Sequence, residues 1–331
     1  MKEIHIAIAA DSNYLIPVTV VLQSIFDNNR KSTISFYLLY MTGTMEQKKL
    51  EFLSAFTTKH RGKFIPLEIN PDQLADFPET RHGKATLLRL CLPTVLPDLD
   101  KILYLDGDVI VNDDLTELYS TDITGYYLAA AKDSATAYDI GYQKAMGIEE
   151  EHCYFNAGVT LLNLKELRQI QLPEIISRFV ETNYLLIGAP DQDALNYICQ
   201  KGKTYYIPPR YNMNYNLEKD IANKIWGKQA IKEAKQNPAI IHYIGPIKPW
   251  SILSTHPQGK LWWAYLRRTP FAGFRPKDAT LKNRLRKVYL SLTKPIEAQF
   301  SLKSKQQIGK LIPSALKKHI KKSLLKPQPK Q

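Results

Sequence analysis

The chain has 331 residues, 44% hydrophobic and 23% charged, an ordinary globular composition with enough length for one large domain or two. No apolar run approaches the ~18 residues of a membrane span. Polar Asp11, Ser12 and Asn13 cut short any signal-like start, and three scattered cysteines (Cys91, Cys153, Cys199) form no CxxC pair, so a reducing, cytoplasmic compartment is expected, with neither a zinc site nor a disulfide framework. The formal charge of +13 is uneven: from Tyr265 onward 18 Lys+Arg face 2 acidic residues, and the remainder carries −3.

Taken in order, Glu3 to Ala10 reads as a buried strand that ends at Asp11-Ser12-Asn13, residues with helix-capping chemistry. A helix to about Asn28 follows, with Val18, Val21, Leu22, Ile25 and Phe26 on one face and Pro17 tolerated in the first turn. Ile34 to Tyr40 is a second strand. Thr44-Met45-Glu46-Gln47 opens the next helix as a capping box, and Lys63 to Ile69 is a third strand. This alternation argues for a parallel α/β sheet, whose ligands bind beyond the carboxyl ends of the strands.

Ala85 to Cys91 reads as a short helical segment carrying Arg89 and closed by Pro93. Lys101 to Val111 is another strand, followed by a strand over Tyr127 to Ala131 and a helix over Asp139 to Met146. Phe155-Asn156-Ala157-Gly158-Val159 leads a strand to Leu162, and Pro173 to Thr182 is an amphipathic helix. Ala189-Pro190-Asp191-Gln192-Asp193 begins another helix, and Ala239 to Tyr243 is a last strand.

Within Lys101 to Val111 two aspartates interrupt an apolar run. Residues i and i+2 of an extended chain point the same way, so Asp106 and Asp108 are placed to converge on one divalent ion, and Gly107 lets backbone approach a ligand. The same residues also suit a turn between two strands. His242, at a strand end, is the best further ligand, and two carboxylates with one imidazole suit Mn²⁺ better than Ca²⁺; alternatively it is a structural histidine. Asp191-Gln192-Asp193 either caps its helix or faces a sugar. Lys248, between two prolines and near Gly245, suits a phosphate or a plain surface. Arg89 is either buried with a carboxylate or aimed at a phosphate or sugar. Trp262, Trp263 and Tyr265 read as core or membrane-facing packing.

Six stretches in register resemble a known family: Ala9-Ala10-Asp11-Ser12-Asn13-Tyr14, Thr86-Leu87-Leu88-Arg89-Leu90, Leu103-Tyr104-Leu105-Asp106-Gly107-Asp108, Tyr154-Phe155-Asn156-Ala157-Gly158-Val159, Asp191-Gln192-Asp193 and His242 through Trp250. They are similar to family 8 retaining glycosyltransferases of the bacterial lipopolysaccharide type, relatives of glycogenin, over about residues 1 to 265. Leu87 stands where the family often has Tyr, and Ile244 where it often has Cys.

The resemblance implies a GT-A fold in residues 1–264, a nucleotide-diphospho-sugar donor (UDP-galactose or UDP-glucose) and Mn²⁺, with Mg²⁺ as the alternative. It assigns Asp106, Asp108 and His242 to the metal. Ala9, Asp11, Ser12, Asn13, Tyr14, Arg89, Asp106, Gly107, Asn156, Asp191, Gln192, Gly245, Pro246 and Lys248 fall to the donor, Gln192, Asp191 and Asp193 to catalysis, and His82 and Thr86 to the acceptor. The acceptor it implies is a saccharide or lipid-linked glycan of the cell surface, such as lipopolysaccharide or lipooligosaccharide. A protein acceptor, a non-catalytic nucleotide-sugar-binding protein and a metal-dependent phosphohydrolase are the alternatives.

Residues 265–331 interleave Lys/Arg with Leu, Ile, Val, Tyr and Phe. Leu311, Ile312, Leu316, Ile320, Leu324 and Leu325 recur near helical spacing, a pattern that predicts a peripheral helix on the anionic inner face of the plasma membrane, with a solvated tail as the first alternative and no nucleic-acid partner expected.

Overall fold

The computed structural model describes residues 2–77, 84–134, 136–218 and 220–288. His82 lies outside them, as does most of the basic amphipathic stretch.

Seven strands form the central sheet: β1 (Lys2–Ala9), β2 (Ser32–Met41), β3 (Lys63–Ile69), β4 (Lys101–Leu105), β6 (Leu128–Lys132), β7 (Phe155–Asn163) and β8 (Thr204–Tyr206), in the order β3-β2-β1-β4-β7-β6-β8. A separate pair joins β5 (Val109–Val111) to β9 (Ile240–His242). β3, β2, β1 and β4 run parallel, as the alternation with helices requires. β7 runs antiparallel to both β4 and β6, while β6 and β8 are again parallel, so the sheet is mixed beyond the half that the first three strands set.

The helices Leu15–Asn28 and Gln47–Lys59 connect the first three strands. Val18, Val21, Leu22 and Ile25 of the first pack with Ile4, Ile6 and Ile8 of β1 on one face of the sheet. On the other face Ala7 and Tyr104 join Leu87, Leu88, Leu195 and Ile198. Burying both faces requires near-continuous apolar strands rather than alternating ones, which β4, with Ile102, Leu103, Tyr104 and Leu105 all buried, supplies.

The expected capping box at Thr44 does not form. The Thr44 hydroxyl donates to the Met41 carbonyl and closes the turn after β2, and the helix starts at Gln47 without a side-chain cap. The backbone N–H of Glu46 instead donates to Ser12 Oγ (2.9 Å), tying the end of β1 to the next connection.

The first compact unit comprises Met1–Trp250 and Ser254–Phe274. The helix Gly259–Leu266 runs through the boundary at 264 that charge alone suggests. Trp262, Tyr265 and Leu266 are buried with Val20, Ile110 and Ile241, so these aromatics are core.

Candidate active site

The run from Lys101 to Val111 is not one strand. The β4–β7 ladder ends at Leu105↔Val159, with one further bond from Asp106 N–H to the Gly158 carbonyl (2.8 Å). The chain then leaves the sheet, and β5 pairs with β9 at Val109↔His242. Asp106-Gly107-Asp108 is therefore a joint between two sheets and not a hairpin turn. The β5–β9 pairing delivers His242 beside it.

Ligand atoms of Asp106, Asp108 and His242 all lie within 4.8 Å of one another. His242 Nε2 is 3.4 Å from Asp108 Oδ1 and 3.6 Å from Asp106 Oδ2. Donor atoms on a small octahedral cation sit roughly 3 Å apart when its bonds are ~2.1 Å, so this set fits a divalent ion with mixed oxygen and nitrogen ligands. Gly158, opposite on β7, leaves the room: a Cβ there would come 2.2 Å from His242 Cε1 and 2.7 Å from Asp106 Oδ2. At Gly107, a Cβ would meet the Tyr14 ring at 3.1 Å.

The charges interlock. Burial alone would raise the Asp108 carboxyl, but Lys248, together with the His242 ring in its charged form, outweighs it and holds it well below the ordinary carboxylate range. Lys248 Nζ pairs directly with Asp108 Oδ2 and also donates to the Tyr243 carbonyl (3.1 Å). Arg89 is buried with two carboxylates, Asp191 (2.6 Å) and Asp106 (2.8 Å), donates to the Ala157 carbonyl (2.6 Å), and lies 4.0 Å from the Tyr104 ring centre. Burial works to strip its proton, and the two carboxylates reverse that and raise its pKa. Burial pushes the Asp191 carboxyl up, with Arg89 opposing. Arg89 thus fixes two acids and is not free to be a direct phosphate ligand.

Gln192 and Asp193 begin the helix Pro190–Ile198. Gln192 Oε1 accepts from the Ala157 N–H (3.0 Å), and its Nε2 reaches the Tyr154 hydroxyl at 3.4 Å. Asp193 is 0% exposed. Its Oδ1 accepts from Tyr154 Oη, and its Oδ2 from Tyr142 Oη (2.8 Å), Gly188 N (3.0 Å) and Ala189 N (2.9 Å). A carboxylate with that many donors is an anchor: it ties the first turn of the helix to the Gly188-Ala189 segment before it and to two tyrosines.

At the end of β1, Asp11 is exposed and accepts from Asn13 N (2.8 Å) and, longer, Asn13 Nδ2 (3.4 Å). Ala9 and Ser12 are half-buried beside it. The Tyr14 ring meets Trp250 edge-on at 5.9 Å. Burial, with Asp108, Asp106 and Asp11 nearby, pushes its hydroxyl up to about 12. Gly245 takes φ +88°, which a side chain would strain; it and Pro246 are exposed. Thr86 is half-buried at the foot of the 3-10 segment Lys84–Cys91 that carries Arg89.

Several residues of the site carry no obvious sequence signal. Tyr142 and Asp133 look like ordinary helix and loop residues, whereas Tyr154 and Gly158 fall within a quoted motif stretch that gave them no role of their own. Asn212 had one available clue: Asn212, Asn214 and Asn216 alternate and are all buried, an unusual expense for amides unless they are bonded.

A mixed sheet with an acid–glycine–acid joint beside a histidine strand defines a GT-A glycosyltransferase. The galactosyltransferase LgtC, solved with donor and acceptor sugar analogues, aligns with TM-score 0.70 at 29% identity, covering 81% of this chain and 96% of its own. Residues 5–253 match the profile of glycosyl transferase family 8, and the chain belongs to that family. Lipopolysaccharide 1,2-glucosyltransferase of Escherichia coli (strain K12) is 28% identical over 281 residues, 83% of this chain and 81% of its own. General stress protein A of Bacillus subtilis (strain 168) is 26% identical over 275 residues, 80% and 93% respectively.

Proposed function

We propose that the protein is a retaining, Mn²⁺-dependent hexosyltransferase that moves galactose or glucose from a UDP-sugar to a saccharide acceptor of a cell-surface glycan. The observation that carries this reading is the convergence of Asp106, Asp108 and His242 beside Lys248 at the strand ends. Its likeness to a glucosyltransferase and to a galactosyltransferase supports a hexose and leaves its identity to experiment. A lipopolysaccharide-type acceptor follows the first of these.

Asp106, Asp108 and His242 would hold the cation, which when bound would supply positive charge to offset the negative charge developing on the departing diphosphate. Lys248 adds a second positive charge there, and the exposed Gly245 backbone leaves close approach open. Asp11, Asn13 and Tyr14 take the uridine end, with Arg89, Asn156, Asp191 and Gln192 around the sugar. As the C1–O bond to diphosphate breaks, C1 gains oxocarbenium character. The acceptor oxygen bonds to C1 on the same face, and its proton passes to the departing phosphate oxygen.

Double displacement would need a carboxylate free to attack C1. Asp193 is saturated and buried, Asp191 is paired with Arg89, and Gln192 is an amide. Gln192 Oε1 therefore stabilises C1 by electrostatics. Incubation with UDP-galactose and UDP-glucose, with and without Mn²⁺, tests the assignment: UDP release that depends on the metal is expected. Phosphate release from simple phosphate esters, with no turnover of either UDP-sugar, would replace the reading with a phosphohydrolase.

A further inference from the structure

We infer that Asn212 is a positioning residue that sets the tautomer of His242, so that Nε2 presents a bare lone pair to the space between Asp106 and Asp108. The consequence for metal binding rests on the function proposed above.

The argument starts from a donor whose identity is unambiguous. The backbone N–H of Gly158 donates to the Asn156 side chain at 3.0 Å. A backbone N–H only donates, so the Asn156 atom there is its oxygen. Asn212 approaches the same oxygen at 2.8 Å, and that atom must be the Asn212 nitrogen. The other end of the Asn212 amide is then its oxygen, which stands 2.9 Å from His242 Nδ1. An amide oxygen only accepts, so Nδ1 carries a hydrogen. In the neutral ring, Nε2 then carries none. Two amides whose flips are normally ambiguous are thus fixed by one peptide group.

The chain of bonds is rigidly mounted. Asn212, 2% exposed, closes the 3-10 turn Pro209–Asn212. The next residue, Met213, donates to the Ile240 carbonyl and accepts from the His242 N–H, both at 2.8 Å. Asn214 Nδ2 donates to the Asn212 carbonyl at 3.2 Å. His242, 3% exposed, has its Nε2 facing two carboxylates at distances longer than ordinary hydrogen bonds. Without an acceptor at Nδ1, the neutral ring would place its hydrogen on Nε2 and donate it to Asp108, leaving the wrong nitrogen for a cation. The other end of the chain reaches Asp133 through Asn156 Nδ2 (3.4 Å), so the amide that orients the histidine also orients Asn156.

The test uses the full-length, metal-free protein labelled with ¹⁵N at histidine, with His242→Ala assigning the ring signals, at a pH above the ring's titration. The expected spectrum has the His242 proton on Nδ1. In Asn212→Leu, which removes the acceptor at similar volume, the proton moves to Nε2 or divides between the two. Asn212→Asp keeps an acceptor and keeps Nδ1–H. Titration with Mn²⁺ alone, followed by loss of the free-ion electron spin resonance signal, is expected to weaken roughly 10- to 100-fold in Asn212→Leu and to be retained in Asn212→Asp. A wild-type neutral ring protonated on Nε2 overturns the inference, even if Asn212→Leu fails to fold. So does unchanged Mn²⁺ affinity in a folded Asn212→Leu protein. Wild-type protein that binds no Mn²⁺ yet shows Nδ1–H overturns the metal assignment and upholds the role of Asn212 in setting the ring.

Discussion

Gly158 shows how much a missing side chain can decide. A methyl group there would overlap His242 Cε1 at 2.2 Å and crowd Asp106 Oδ2 at 2.7 Å, both held from behind by Asn212 and Arg89. Neither can retreat without giving up a bond. Gly158→Ala should therefore cut UDP-sugar turnover by ~100-fold, the scale of an ångström's misplacement, and weaken Mn²⁺ binding in the same assay used for Asn212. Near-normal turnover in that variant would mean that the acid–histidine group is not where the reaction is supported. Asp193 makes the opposite case: the residue type suggests chemistry and the surroundings specify an anchor. Asp193→Asn replaces one accepting oxygen with an NH₂ that faces donors, and should lose ~3 kcal/mol of stability, read as a lower thermal midpoint and earlier denaturation in urea. A variant of unchanged stability that has lost turnover would return Asp193 to the list of reacting groups.

At the level of elements, apolar period was enough for the first three strands and their helices, because long apolar runs and their polar ends are local signals, although the cap read at Thr44 proved to be a turn bond to Met41. The split of Lys101–Val111 into β4 and β5 was not legible. Whether two aspartates turn a hairpin or join two sheets depends on which distant strand pairs with Val109, and that partner, β9, lies beyond residue 238. β8 is three residues long, too short to leave a period. The six motif stretches placed the acids, the lysine and the histidine in one site, while the partners of Asn212 and Asp133 (Asn156 and His242 for the first, Asn156 and Thr136 for the second) could not be read from the sequence.

The helix carrying Gln192 is pinned to β7 by Asn196. Its oxygen accepts from Phe155 N (2.8 Å), and its amide donates to the carbonyls of Phe155 and Gln192 (2.9 Å each). His152 donates to that same oxygen at 3.0 Å. Burial lowers the His152 pKa below its ordinary 6.5. The unfolded chain then binds the proton more readily than the folded one, so stability is whole above pH 6.5 and falls as pH drops from there toward the folded value. His152→Gln should flatten the loss of thermal midpoint between neutral and mildly acidic pH. An equal slope in both proteins would assign the acid sensitivity elsewhere, for example to His5, which burial also lowers.

At the scale of the molecule, no helix among the described residues is long and apolar enough to cross a membrane, and the charge is gathered at one end. Residues 289–331 alone carry ten lysines against one glutamate. If the acceptor is lipid-linked, an attraction of ~1 kcal/mol per lysine near an anionic surface would hold the enzyme where its substrate is. The cut that tests this must spare residues 275–288. These form the second compact unit with Ser251–Leu253, where Asp278 accepts from the Ile252 N–H (3.0 Å) and from Ser251 Oγ. Deleting 289–331 should reduce binding to vesicles containing anionic lipid at least tenfold while leaving UDP release to a soluble saccharide within about twofold. Salt should weaken the full chain's binding in parallel, since the attraction is screened over ~10 Å at 0.1 M. If the shortened and full chains sediment equally with anionic vesicles, the lysines do not place the enzyme at a membrane, and the excess charge must be explained by some other partner.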